Sequence, residues 1–105
     1  MKQPIRSQFE FHFEWEQSKA RQNVKKHGMS FERAASEFLD PNALSEFDSE
    51  HSQAENRWLT LGLDRTGLLL VVCHAYWEEA STKARIRIIS ARRATKQESK
   101  QYRRS

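Results

Sequence analysis

The sequence predicts a single α+β domain, with a small, mostly antiparallel sheet of about four strands and two helices packed on one of its faces. Three observations carry this expectation. Phe9, Phe11, Phe13 and Trp15 alternate with Glu10, His12 and Glu14, the period of a half-buried strand. Phe31, Ala34, Ala35 and Phe38 fall at i, i+3, i+4 and i+7, the apolar face of a helix. Two apolar runs, 56–63 and 68–74, flank Asp64-Arg65-Thr66-Gly67, which is hairpin patterning.

In chain order, the aromatic strand is followed by a helix over 16–27, with Ala20 and Val24 on one side and Gly28 as its stop. Ser30 caps the next helix, and Asp40-Pro41 ends it. Residues 42–55 are polar, acidic and without periodicity, and so read as a loop. The hairpin follows. Its second run is apolar on both faces, as in a central strand. Residues 76–84 read as a polar connection, and Arg85–Ala91 alternates into a further strand. Thr95 and Glu98 form a capping box that opens a C-terminal helix, whose only large apolar residue is Tyr102. The order is β-α-α-β-β-β-α. Phe9, Phe11, Phe13, Ile86 and Ile88 are expected to face the helices. That leaves His12, Arg85 and Arg87 together on the opposite, uncovered face.

The 105 residues, 37% hydrophobic and 30% charged, make one folded domain. The longest apolar run, Leu68–Cys73, is far short of the roughly 20 residues of a membrane helix. The first residues carry no apolar signal region. The single cysteine makes neither an internal disulfide nor a cysteine-based zinc site. A cytoplasmic protein is expected. Charge is uneven: residues 37–56 hold six acids and no Lys or Arg, whereas 85–105 hold eight bases against one acid. The basic end is either the footprint of a polyanion or a solvated tail.

No phosphate-binding loop, nucleophile elbow, zinc-protease motif or dinucleotide fingerprint is present. The four histidines lack metal-ligand spacing, and no metal or cofactor is expected. Cys73 reads as a small core residue. The chemistry that best suits His and Arg on an open face is RNA cleavage, because RNA carries its own nucleophile, the 2′-hydroxyl. A histidine moves protons near neutral pH, and arginines neutralise phosphorane charge. The candidates are His74, expected at the rim where the central strand ends, and His12 on the open face. Either is also readable as an ordinary half-buried or surface histidine. Arg57 opens the hairpin and is alternatively an ion-pair partner of Glu55. Arg92 and Arg93 follow the last strand, expected at the same rim or in a solvated turn. Trp58 and Trp77 either stack bases or pack in the core.

The segments FEWEQSKARQNVKKHGMSFERAASEFLDP (13–41), NRWLTLGL (56–63), GLLLVVCH (67–74) and RIRIISARRATKQESKQY (85–102) resemble the BrnT family of type II toxins, relatives of the RelE-like ribonuclease toxins. The resemblance runs from about Phe11 to Tyr102. It leaves residues 1–8 as an N-terminal extension before a domain at 9–105. It implies a RelE-like fold and a metal-independent endoribonuclease that blocks translation. It also implies a BrnA-like antitoxin in a heterotetramer, and operator DNA bound only through that complex. The family's arginines fall on Arg57, Arg87 and Arg92. With His74, or failing that His12, they form the expected catalytic set. His12, Arg85, Arg93, Lys96 and Tyr102 are expected to contact RNA. One departure stands out: where the family commonly has Thr-x-Arg, this chain reads Ala75-Tyr76-Trp77, and Arg85 is the candidate replacement charge. The alternative is a non-catalytic RNA-binding or antitoxin-binding module.

Overall fold

A computed structural model describes residues 10–104. The extension at 1–8 and Phe9 lie outside the described residues. One sheet holds β1 (Glu10–Glu14), β2 (Leu44–Phe47), β3 (Arg57–Leu63), β4 (Leu69–Ala80) and β5 (Lys83–Arg93), in the order β1-β5-β4-β3-β2. The helices are α1 (Gln17–His27), α2 (Phe31–Ser36) and α3 (Lys96–Arg104). β1 runs parallel to β5, and every other pairing is antiparallel. The sheet thus has five strands rather than about four. The added one, β2, lies inside the stretch expected to be a loop.

Local chemistry sets the boundaries. Gly28, at φ 66°, ends α1 in the left-handed conformation that glycine takes at least cost. The Ser30 hydroxyl accepts from the Arg33 amide at 3.2 Å and caps α2. Thr95 and Glu98 form the expected reciprocal box, with bonds of 3.1 and 2.8 Å. In the turn between β3 and β4, the Asp64 carboxylate accepts from the amides of Thr66 and Leu68 and is clamped by Arg33.

Met29, Phe31 and Ala34 pack on Leu70, Val72, Ile86, Ile88 and Ala91, with Phe11 and Phe13 against the cluster. Of the residues expected to face the helices, Phe11, Phe13, Ile86 and Ile88 do so, and Phe9 lies outside the described residues. β1 covers β5 only as far as Arg87. Beyond it, α1 takes over: the Asn23 side chain accepts from the Ala91 amide and donates to the Ala91 carbonyl, at 3.1 and 2.9 Å.

Two expectations about the hairpins are corrected. The central strand does not end at His74 but continues to Ala80, and residues 76–84 are mostly strand. β3 reaches only Ala75 in the pairing, so β4 and β5 project beyond it as a two-stranded arm. The face opposite α1 and α2 is also not wholly open. Glu98 and Gln101 of α3 share a cleft with Leu44, Leu59, Leu61 and Val71. α3 is held there by an Arg92–Glu98 double hydrogen bond and by the Tyr102 hydroxyl donating to Asp40 at 2.6 Å.

Candidate functional site

Directly paired residues of a sheet share a face. Arg57 pairs with Ala75, Ala75 with Arg87, and Arg87 with Glu14. The next row along the arm is Trp77, Arg85 and His12. Both rows lie on the face opposite α1 and α2, as expected for His12, Arg85 and Arg87. Strand spacing puts the Arg57 and Arg87 backbones about 10 Å apart, with the methyl of Ala75 between them. Ala75 is 1% exposed, so the long side chains close over it.

Glu55, from the loop before β3, sits between the two arginines. It bonds Arg87 Nη2 and lies 3.5 Å from Arg57 Nε. That Arg57 nitrogen is buried without a hydrogen bond of good geometry. Glu16 and Lys19, Ile88 and Ile89 complete a 130 Å³ cavity with Glu55, Arg57 and Arg87. The result is a carboxylate gripped by two guanidiniums, with an ammonium on its wall. Such a cluster offers a carboxylate as a hydrogen-bond acceptor and guanidiniums as anion-binding donors.

Trp77 lies beside this centre. The Arg85 guanidinium stands 4.6 Å from its ring centroid and that of Arg87 5.5 Å. Both are within cation–π range. His12 is exposed, 4.0 Å from Glu79 and 3.9 Å from Glu10.

His74 is placed otherwise. It is mid-strand, 3% exposed, and on the helix-packed face. Its ring meets Phe38 edge-on at 4.8 Å, and Nε2 bonds the Thr60 hydroxyl at 2.7 Å. Burial pushes its pKa down to about 4, so it is neutral near pH 7. The expected rim position is therefore corrected: the strand runs on, and the pleat turns His74 away from the arginines. Trp58 is on that face too, edge-on to Phe47 at 5.4 Å.

Arg92 is still within β5 and pairs with Val71, roughly 16 Å along the strand from Arg87. The bonds from Arg92 hold Glu98 at a pKa of about 2. The rim expected to join Arg92 and Arg93 to Arg57 is not formed, because the two groups lie at opposite ends of the sheet. Tyr102 is tied to Asp40, which pushes its pKa up to about 12. Lys96 begins α3 and lines an open groove with Lys100 and Arg104. Cys73 is half-buried, and burial pushes its thiol up.

Glu55 reads from the sequence only as an ion-pair partner of Arg57; the register of β3 on β4 and β5 brings the second arginine, Arg87, to it and makes it part of the candidate site. Among the described residues, Asp48, Glu50 and His51 bring ligand-type atoms within 4.8 Å of one another. They lie on a surface turn where His51 already bonds Asp48 at 2.9 Å.

A protein-family model described as the ribonuclease toxin BrnT of a type II toxin–antitoxin system matches residues 15–98. Comparison with curated proteins found no match. A similar solved structure is the 1.1 Å crystal structure of the Brucella abortus ribonuclease toxin BrnT. It is 18% identical, covers 83% of this chain and 99% of that one, and has a TM-score of 0.48. With most of its length inside the family model, the chain belongs to the BrnT family of ribonuclease toxins of type II toxin–antitoxin systems, a class that implies an antitoxin partner.

Proposed function

We propose that this chain is a metal-independent endoribonuclease that inhibits translation by cutting RNA at the Arg57–Glu55–Arg87 centre. The observation that carries the reading is the register Arg57–Ala75–Arg87 with Glu55 held between the two guanidiniums. In the reaction, Glu55 takes the proton of a 2′-hydroxyl, whose oxygen then attacks the adjacent phosphorus. The bond to the 5′-oxygen breaks as a 2′,3′-cyclic phosphate forms. Arg57 and Arg87 neutralise the charge that builds on the phosphorane, which is the task a metal ion performs in other nucleases. His12, exposed on this face, returns a proton to the leaving 5′-oxygen. His74 takes no part, and Arg92 serves α3 through Glu98. Arg85, Arg93 and Lys96 extend the basic surface for the rest of the RNA, and Tyr102 anchors α3 beside it.

The antitoxin of this reading is BrnA-like, forms a heterotetramer with the toxin, and inhibits by covering α3 and the arginines. Operator DNA is bound only through that complex. The site of action is the cytoplasm, where translation runs.

The test is cleavage of total RNA by the purified chain in excess chelator, with the product ends identified. Cyclic or 3′-phosphate ends formed under chelation are the expected result. Binding of RNA without cleavage, with or without added divalent metal, would instead make the chain a non-catalytic binding module.

A further inference from the structure

Trp77 is a large aromatic ring on a surface arm, outside the core cluster. It does not sit under a helix. It sits under two arginines, and those arginines are two residues apart on β5, so both project from one face. Arg85 is directly paired with Trp77 across the arm, and Arg87 is paired with Ala75 at the centre described above. Arg87 thus belongs to both groups: its guanidinium reaches Glu55 at one end and the Trp77 ring at the other. The Nε of Arg85 is buried without a hydrogen bond of good geometry, and its nearest carboxylate, Glu14, stands 4.0 Å away. A buried donor without a protein partner leaves hydrogen-bonding capacity that a water, an ion or a ligand oxygen can take up. The outer edge of β4 beside Trp77 lies past the end of β3, so among the described residues no strand pairs with it on that side.

We infer that Trp77, Arg85 and Arg87 form a stacked subsite for one unpaired nucleotide of a single-stranded RNA, next to the Arg57–Glu55–Arg87 centre. The inference rests on the ribonuclease reading for the identity of the polymer. The ring holds the guanidinium planes, which removes rotamer freedom before the RNA arrives. A base stacks on the exposed aromatic and guanidinium surface, and its phosphate takes the donors of Arg85 and Arg87. Stacking of this kind needs a base free of its complement, so the subsite selects single strands over duplex. The acids on this face, Glu10, Glu14 and Glu79, add repulsion against the denser phosphates of a duplex.

The experiment measures binding of a short, fluorescent 2′-O-methyl RNA oligonucleotide, single-stranded or annealed to its complement, across a salt series. The probe has no free 2′-hydroxyl, so binding is read whether or not the chain cleaves. Trp77→Ala is expected to weaken single-strand binding about tenfold, and Trp77→Phe to retain most of it. Arg85→Ala is expected to reduce the slope of log affinity against log salt by about 0.7, one phosphate contact. Thermal unfolding confirms that each variant folds. Equal affinity of wild type and Trp77→Ala at every salt overturns the inference, and so does duplex binding as tight as single-strand binding. Failure of the ribonuclease reading looks different: natural RNA stays intact while the Trp77-dependent binding persists.

Discussion

His74 and Ala75 are neighbours on β4, and the two faces of the sheet they look onto handle polar chemistry in opposite ways. On the helix-packed face His74 is enclosed under Phe38, and its ring is committed to Thr60, which in turn bonds Ser45 at 2.8 Å. His74, Thr60 and Ser45 are matched to one another there, and burial holds the ring neutral. On the opposite face Arg57 and Arg87 are about one-third exposed at the side chain and share a single carboxylate between them. With Lys19 and Glu16 also on the cavity wall, three cationic side chains face two carboxylates, which leaves positive charge to spare. A titratable residue becomes chemically available when its surroundings under-satisfy it, and one step of the pleat decides which surroundings it gets.

The sharpest way to break this contrast is to remove a guanidinium from the open face. Arg57→Ala or Arg87→Ala is expected to lower kcat/KM for RNA cleavage by about a hundredfold or more while leaving the fold intact. Either variant cutting RNA at the wild-type rate would place the chemistry elsewhere. On the closed face the expected effect is on stability. His74→Ala leaves a cavity under Phe38 and orphans the Thr60 hydroxyl, at a cost of about 2 kcal/mol. Because the folded pKa of about 4 lies below the ordinary 6.5, the unfolded chain binds more protons between those values. Wild-type stability therefore falls as pH drops from about 6.5 towards 4, and denaturant melts of His74→Ala should lack that loss. Its pH–rate profile should match that of the wild type. A profile that loses a limb with His74 would return the proton-handling role to it.

The smallest expected effect comes from Glu37, fully buried at the end of α2, with carboxyl oxygens that make no hydrogen bond of good geometry. Burial raises its pKa from 4.5 to about 10, partly offset by the Gly62 amide and reinforced by Asp40 and Asp64. Here the folded state binds the extra proton, so stability contributed below pH 4.5 is lost as pH rises towards 10. Glu37→Gln should raise Tm by about 5 °C at pH 8 and change little at pH 5. A Tm gain that is equal at both pH values would show that Glu37 is ionised in the fold.

The parts of this molecule that were readable in the sequence are those governed by short-range rules. Alternation placed Phe11 and Phe13 inward and His12 outward. Ser30, Thr95 with Glu98, and Gly28 marked helix ends correctly, because each acts through a bond within a few residues. β2 escaped notice because Leu-Ser-Glu-Phe is four residues of an exposed edge strand within an acidic stretch. Its pairing with β3 supplies the order that its own pattern lacks. The arm escaped because Glu78, Glu79 and Ala80 meet solvent on both faces, so alternation disappears although the ladder continues. Misplacing the end of β4 carried His74 to a rim it does not occupy. Of the site, the two arginines on the open face were legible, and their junction through Glu55 was not. That junction depends on the register of three strands, a long-range property.

Asn23 bears on how an edge of the sheet is kept from pairing with another chain. A half-paired strand edge is a template on which a second chain can add, and β5 would present one wherever β1 falls short. The amide of Asn23 imitates a peptide group, taking the Ala91 amide and giving to the Ala91 carbonyl as a neighbouring strand would, while a further bond to the Met29 carbonyl fixes its rotamer. One side chain on a helix thus closes a seam in a sheet. The seam is sealed by the chain's own first helix, which leaves that stretch of β5 closed to a strand from another molecule.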